Sequence, residues 1–241
     1  MALKLIETGD GSSTFYNEEL DETYHSRHGA IQEAMHVFLK MGLEAMLTKH
    51  SHLNIMEIGF GTGLNAWLTA CRILKRSESE SESESELSNS KQKNIGIIDY
   101  VGIEAFPVTK EDVLLLNYDQ FSSNEEEKAL FKKINTVAWE SEQIIHDHFS
   151  LTKRKQNFKD IKDENAFDLI YFDAFGPRVQ PELWSEEIFT KMFKALKSEG
   201  MLVTYSAKGD VRRAMLKVGF KVEKVAGPPG KREMLVAKKG Q

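Results

Sequence analysis

Two periods of hydrophobicity alternate along the chain. Short runs rich in apolar and β-branched residues at 55–58, 95–104, 167–172 and 201–205 read as strands buried on both faces. Between them, apolar residues recur at three- and four-residue steps over 64–74, 109–116, 125–137, 185–196 and 210–218, the period of a helix with one face inward. An earlier helix is predicted over 30–47, where Ile31, Ala34, Met35, Phe38, Leu39, Gly42 and Leu43 share a face. Pro107 precedes the 109–116 helix; Ser185 caps the 185–196 helix, Glu186 and Glu187 favour its first turn, and Gly200 is read as its stop. Residues 144–158 read as a strand with a turn, and 220–225 with 234–237, flanking Gly227-Pro-Pro-Gly230, as a closing antiparallel hairpin. Such alternation predicts an α/β fold: a mainly parallel twisted sheet, helices on both faces, closed by that hairpin.

At 241 residues and 41% hydrophobic the chain can bury one substantial core. Residues 1–50 are read as a lead-in, irregular over 8–24, whose helix packs on a core formed by 51–241. The core is interrupted at 77–94, where five Ser-Glu pairs and a polar stretch lack apolar periodicity and predict a mobile loop. The formal charge of -5 is carried by that repeat, since subtracting its five glutamates leaves zero. An acidic total therefore does not exclude a nucleic-acid partner. The single cysteine, Cys71, rules out an internal disulfide and a Cys-rich zinc site. No apolar run reaches the roughly 18 residues of a membrane span and no long apolar leader opens the chain, so a cytoplasmic location is expected. His146 and His148 alternate on a strand without further ligands, and a solvated face is the plainer reading than a metal site; no metal is expected.

The chemistry concentrates where strands end. Residues 55–65, Ile-Met-Glu-Ile-Gly-Phe-Gly-Thr-Gly-Leu-Asn, join strand to helix through Gly59, Gly61 and Gly63. The spacing is neither that of a dinucleotide fingerprint nor that of a phosphate loop. Glu57 would repel an anion and suits a cationic or hydroxyl-rich ligand, and S-adenosylmethionine is both. In open parallel sheets ligands bind beyond the carboxyl ends of the strands, so Gly59, Glu104 and Asp173 should share one crevice, with Glu104 on ribose hydroxyls. Tyr24-His25-Ser26-Arg27-His28-Gly29 could wall it. A packing turn, a helix cap and a turn cap are the plainer readings of these same residues.

Longer stretches carry a resemblance. Glu-Ile-Gly-Phe-Gly-Thr-Gly-Leu-Asn at 57–65, Phe-Asp-Leu-Ile-Tyr-Phe-Asp-Ala-Phe-Gly-Pro at 167–177 and Pro-Glu-Leu-Trp at 181–184 resemble the tRNA 5-aminomethyl-2-thiouridine methyltransferases. So do Tyr-His-Ser-Arg-His-Gly-Ala-Ile-Gln-Glu at 24–33, Thr-Tyr-Ser-Ala-Lys-Gly-Asp-Val-Arg-Arg at 204–213 and Gly-Lys-Arg-Glu-Met-Leu at 230–235. The resemblance implies a Rossmann-like class I methyltransferase that uses S-adenosyl-L-methionine to methylate an exocyclic amine on a wobble uridine, with tRNA (its anticodon stem-loop) as partner. In some members the methylase is half of a bifunctional enzyme; this chain has no room for the flavin-dependent oxidase, which is expected to be separate and to act upstream.

On the same basis Asp173 is the candidate catalytic residue, and Glu57, Gly59, Phe60, Gly61, Gly63, Asn65, Glu104, Ala105, Asn157 and Asp173 are the candidate cofactor residues. Relatives tend to place Gly-Asp against the adenine where this chain has Gln156-Asn157, so Asn157 is assigned there, with Asp160 as the competing alignment. Tyr24, His28, Phe175, Lys208, Arg212, Arg213, Lys231 and Arg232 are the candidate substrate residues, with Tyr24, Phe175 or Trp184 available to stack on a base. An ordinary solvated Lys/Arg surface is the plainer reading of the basic set. A small-molecule N- or O-methyltransferase and a non-catalytic S-adenosylmethionine-binding module are the rival functions.

Overall fold

A computed structural model describes residues 3–83 and 97–241. The apolar runs pair into one eight-stranded sheet made of β4 (His52–Ile58), β5 (Ile97–Glu104), β6 (Glu142–His146), β7 (Phe149–Lys155), β8 (Phe167–Phe172), β9 (Leu196–Thr204), β10 (Lys221–Ala226) and β11 (Glu233–Lys238). Their order is β10-β11-β9-β8-β4-β5-β7-β6. The central pairs β7–β5, β5–β4, β4–β8 and β8–β9 are parallel. Antiparallel strands close both edges, β6 beside β7 and the β10–β11 hairpin beside β9. The region read as one strand with a turn is thus itself a hairpin, β6–β7.

Burial on both faces explains the unbroken apolar runs: all six residues of β8 are buried. One core cluster lies under α1 (Ala30–Ala34), the wide-turned helical segment Met35–Leu43, α2 (Glu44–Leu47), α3 (Leu64–Ser83) and α5 (Glu125–Thr136). The other lies under α6 (Glu186–Ala195) and α7 (Gly209–Val218). The short α4 (Lys110–Val113), capped by Thr109, replaces the longer helix expected over 109–116.

The first residues depart from expectation. Residues 8–24 were expected to be irregular, yet β1 (Leu3–Glu7), β2 (Ser13–Asn17) and β3 (Glu22–Thr23) form a separate antiparallel sheet. Its first turn is built on Asp10, whose carboxylate accepts the Ser12 N–H at 3.1 Å; side chains of this kind make turns whatever the surrounding hydrophobicity. Helix α3 also runs to Ser83 instead of stopping at 74, taking in the start of the Ser-Glu repeat. Glu is a good helix former, and Arg72 and Arg76 fasten this helix to Glu44. The rest of the expected loop, 84–94, lies outside the described residues. Gly200 is not a helix stop: α6 ends at Ala195 and the chain passes directly into β9, where Gly200 is buried.

Candidate active site

From β4 the chain runs out to β5 and β7 on one side, then returns to β8 and β9 on the other, so the switch point falls between β4 and β8. Gly59 and Asp173 follow those two strands. The Gly59 backbone has φ +88, and a Cβ there would stand 2.6 Å from the Asp173 carbonyl oxygen, so the turn closes only without a side chain. The Gly59 and Phe60 N–H groups donate to Ile103 O at 3.0 and 3.1 Å, and the Asp173 N–H donates to Ile58 O at 2.9 Å. Three strand ends are thereby pinned around one crevice of about 360 Å³.

At one end lie Gly59, Gly61, Glu104, Ala105, Phe106 and Asn157. Glu104 accepts the Gly61 N–H and the Phe106 N–H, both at 3.0 Å, one on each oxygen. A carboxylate has about four acceptor positions, so room remains for a hydroxyl. Burial raises the Glu104 pKa, opposed by the Phe106, Gly61 and Ala105 N–H groups. Asn157 lines the crevice while its side chain caps the following turn, accepting from Lys159 N–H at 3.0 Å; Asp160 does not line it.

The other end is acidic and aromatic. Asp173, Glu22, Glu33 and Glu182 line it with Tyr24 and Phe175, whose rings meet edge to face at 5.0 Å. Burial pushes the Asp173 carboxyl up to about 7, with the Asn65 hydrogen bond pulling the other way, Glu33 adding to the rise and Lys231 opposing it. Lys231 lies within this end, 2.5 Å from Glu33 and 4.2 Å above the Tyr205 ring. Arg178, after β8, donates to Asp21 O at 2.9 Å and pairs with Glu22, so the amino-terminal sheet is clasped over the crevice.

Several expected contacts fall elsewhere. Glu57 is 1% exposed, its oxygens taken by Asn65 and Tyr100, and Asn65 is 2% exposed, so both stand behind the crevice wall. Phe60 is buried against Gly102, near Lys153 and Trp139, and Gly63 packs on Asn135 and Phe60. These residues shape the turn and do not line the crevice. Trp184 cannot stack on a base: it is 4% exposed and donates to Phe175 O at 2.7 Å, holding the Phe175 backbone. His28 is exposed and packs under Gly230, outside the crevice. Lys208, Arg212, Arg213 and Arg232 lie at the start of α7 and in the β10–β11 turn, also outside it; Arg213 pairs with Asp210, whereas Lys208 and Arg212 make no ion pair among the described residues. His146 bonds Ala70 O at 3.2 Å, and no group of three or more His, Cys, Asp or Glu among the described residues is placed to hold a metal ion.

Glu22, Glu33, Tyr205 and His25 were not singled out as individual site residues; only the 24–29 segment hinted at the last. The His25 ring shares a 2.8 Å hydrogen bond with Thr62 Oγ1 inside the glycine turn, and burial lowers its pKa to about 4. The fold therefore holds it neutral, which contributes stability in full above the ordinary value of about 6.5 and loses it as pH falls toward 4. Urea unfolding should show the wild type losing on the order of 2 kcal/mol more than His25→Gln between pH 7 and pH 5. Equal losses in the two proteins would show that His25 stays outside this coupling.

The crevice can be tested for the group its residues would hold. It places carboxylates, not lysine clusters, around a turn bare of side chains, which disfavours a phosphate and suits a cation bearing ribose hydroxyls. With this strand order and that turn, the fold is of the class I methyltransferase type, and the crevice's residues fit S-adenosyl-L-methionine. Residues 126–240 match the profile of a family described as S-adenosyl-L-methionine-dependent methyltransferase. The chain is 30% identical to the tRNA 5-methylaminomethyl-2-thiouridine biosynthesis bifunctional protein MnmC of Actinobacillus pleuropneumoniae serotype 5b, over 96% of this chain and 34% of that protein. The MnmC protein of Vibrio vulnificus is 28% identical over 91% of this chain and 33% of its own length. The chain thus spans about a third of these relatives. The fold also matches the crystal structure of MNMC2 from Aquifex aeolicus with TM-score 0.70 and 23% identity, over 98% of this chain and 70% of that one. No helix among the described residues is long and apolar enough to cross a membrane.

Proposed function

We propose that this methyltransferase acts on tRNA, converting 5-aminomethyl-2-thiouridine at the wobble position to 5-methylaminomethyl-2-thiouridine. The observation that carries this is the single crevice in which the glycine turn and Glu104 open, past Asp173, into an acidic, aromatic end. Glu104 would hold ribose hydroxyls, Gly59 and Gly61 would admit the methionine end, and Asn157 would lie by the adenine. When bound, S-adenosylmethionine supplies an electrophilic methyl carbon. The acceptor is an alkylamine, protonated at neutral pH, and it must lose that proton to offer a lone pair. Asp173, with a pKa near 7, can accept a hydrogen bond from the amine, orient it and take its proton. Holding the amine in line is the larger contribution, on the order of 7 kcal/mol or more in well-oriented systems.

Tyr24 and Phe175 would offer faces for a splayed base, while Lys208, Arg212 and Arg232, outside the crevice, would contact backbone phosphates of the anticodon stem-loop. The MnmC names support this substrate. A flavin-dependent oxidase that frees the amine would act upstream, and a reducing, cytoplasmic setting suits both steps. The test is transfer of labelled methyl from S-adenosylmethionine to tRNA carrying aminomethyl-thiouridine, with tRNA carrying plain uridine there as control. Label in the first alone is expected; label in small amines but in neither tRNA would favour a small-molecule methyltransferase.

A further inference from the structure

Asn65 is the second residue of α3, set by Gly63 at the base of the crevice. Its Nδ2 donates to Glu57 Oε1 at 2.8 Å and to Asp173 Oδ2 at 2.9 Å. One amide nitrogen has two hydrogens, and here each goes to a different carboxyl group. Tyr100 donates to the second Glu57 oxygen at 2.8 Å. Turning the Asn65 amide would set Oδ1 against the charged Asp173 carboxylate and remove the N–H it accepts. In the orientation it takes, Oδ1 is buried with no hydrogen-bond partner, and such an orphan in a native site calls for a compensating role. Glu57 meanwhile is a carboxyl with two donors and no cation in contact, too deep to touch a ligand.

We infer that Asn65 is a positioning residue of this site: its amide fixes the Asp173 carboxylate at the end of β8 and couples it to the buried Glu57 carboxyl behind. The inference deepens the proposed function and rests on it for its consequence in catalysis, but the coupling itself is a property of the chain alone. Two carboxyls joined through one nitrogen do not both ionise readily. Glu57, the more buried, keeps its proton, since burial raises its pKa well above the usual range and the Asp173 charge adds to this. The negative charge then resides on Asp173, facing the crevice, and the Asn65 N–H favours that charged form. The other groups that act on Asp173 are Glu33 from α1 and Lys231 from the β10–β11 turn, while its charge is felt by Tyr100 from β5, Tyr205 after β9 and Tyr118. Of these Lys231 alone is a cation.

The test is a pH titration of the side-chain carboxyls by carbon-13 NMR on the full chain without cofactor, with Asp173→Asn used to assign the signal. In Asn65→Leu the Asp173 midpoint should move up by about one pH unit, a roughly tenfold rise in proton affinity. Asn65→Ser, smaller and too short to bridge both carboxyls, should move it the same way and serves if the leucine variant does not fold. An Asp173 midpoint that stays at its wild-type value in a folded Asn65 variant overturns the inference. Where the wild type transfers methyl, the acid limb of kcat against pH should shift with the NMR midpoint, with little change in KM for S-adenosylmethionine. An unshifted limb with the loss confined to KM would overturn the positioning role, whereas a wild type inactive on tRNA would count against the proposed function and leave the titration to decide the coupling.

Discussion

Asp173→Asn is expected to lower kcat for methyl transfer by about two orders of magnitude or more while S-adenosylmethionine still binds, because a positioned acid or base typically contributes 10²- to 10⁴-fold. The amide is isosteric and keeps an oxygen to accept from Asn65, so the crevice survives and the proton acceptor is lost. In the wild type kcat should rise with pH through about 7, the region to which burial pushes the Asp173 carboxyl. The same shift predicts a stability change of opposite sense. A carboxyl whose pKa is raised in the fold leaves stability undiminished at low pH and withdraws it as pH rises through the folded value. Asp173→Asn should therefore be more stable than the wild type at pH 8, on the order of 2 kcal/mol, and equal to it near pH 4. An inactive variant without that gain would mean that the carboxyl is well solvated in the fold and is not raised by burial. Activity and chemical unfolding on one protein stock separate these outcomes.

Gly59→Ala should be more damaging to the fold than any change in the basic surface. The residue holds φ +88, and an added Cβ would meet the Asp173 carbonyl oxygen at 2.6 Å, which is backbone and cannot swing away. A left-handed conformation costs an L-residue about 1–2 kcal/mol and overpacking about 1–3 more. A loss of ~2–5 kcal/mol in unfolding free energy is expected, with cofactor binding weakened at least tenfold in whatever folds, because β4 and β8 must part. Gly61→Ala makes a useful contrast: φ is +50 but its Cβ would meet the Tyr24 ring no closer than 3.4 Å. It should be the milder of the two, and the reverse ranking, read from denaturation midpoints, would contradict the account of the turn.

What could be read from the sequence was whatever depends on period and on turn chemistry. The central strands and the glycine turn follow from unbroken apolar runs ending in Gly59, Gly61 and Gly63, and strand ends put Gly59, Glu104 and Asp173 in one place. Depth was not legible. Glu57 and Asn65 lie in the same motif as Gly59, and only the fold shows that they stand behind it, since motif spacing does not say which side of a wall a residue occupies. Trp184 is by sequence one of three aromatics available to stack on a base, but the fold buries it and its N–H donates to Phe175 O. The acidic end of the crevice was hidden for a different reason. Glu22 comes from an amino-terminal sheet that Arg178 holds through Asp21 O and Glu22, contacts between residues far apart in the chain that no local pattern encodes. Lys231 belongs by sequence to the same basic set as Arg232, yet its pairing with Glu33 sets it inside the crevice.

Nucleoside mass spectrometry of tRNA is the most direct test of the central claim. Candidate tRNA bearing 5-aminomethyl-2-thiouridine, incubated with the protein and S-adenosylmethionine, should yield a wobble nucleoside heavier by one methyl, with the fragment placing that methyl on the aminomethyl nitrogen. An unchanged wobble nucleoside in the presence of bound cofactor, or a methyl found on another atom, would contradict the account.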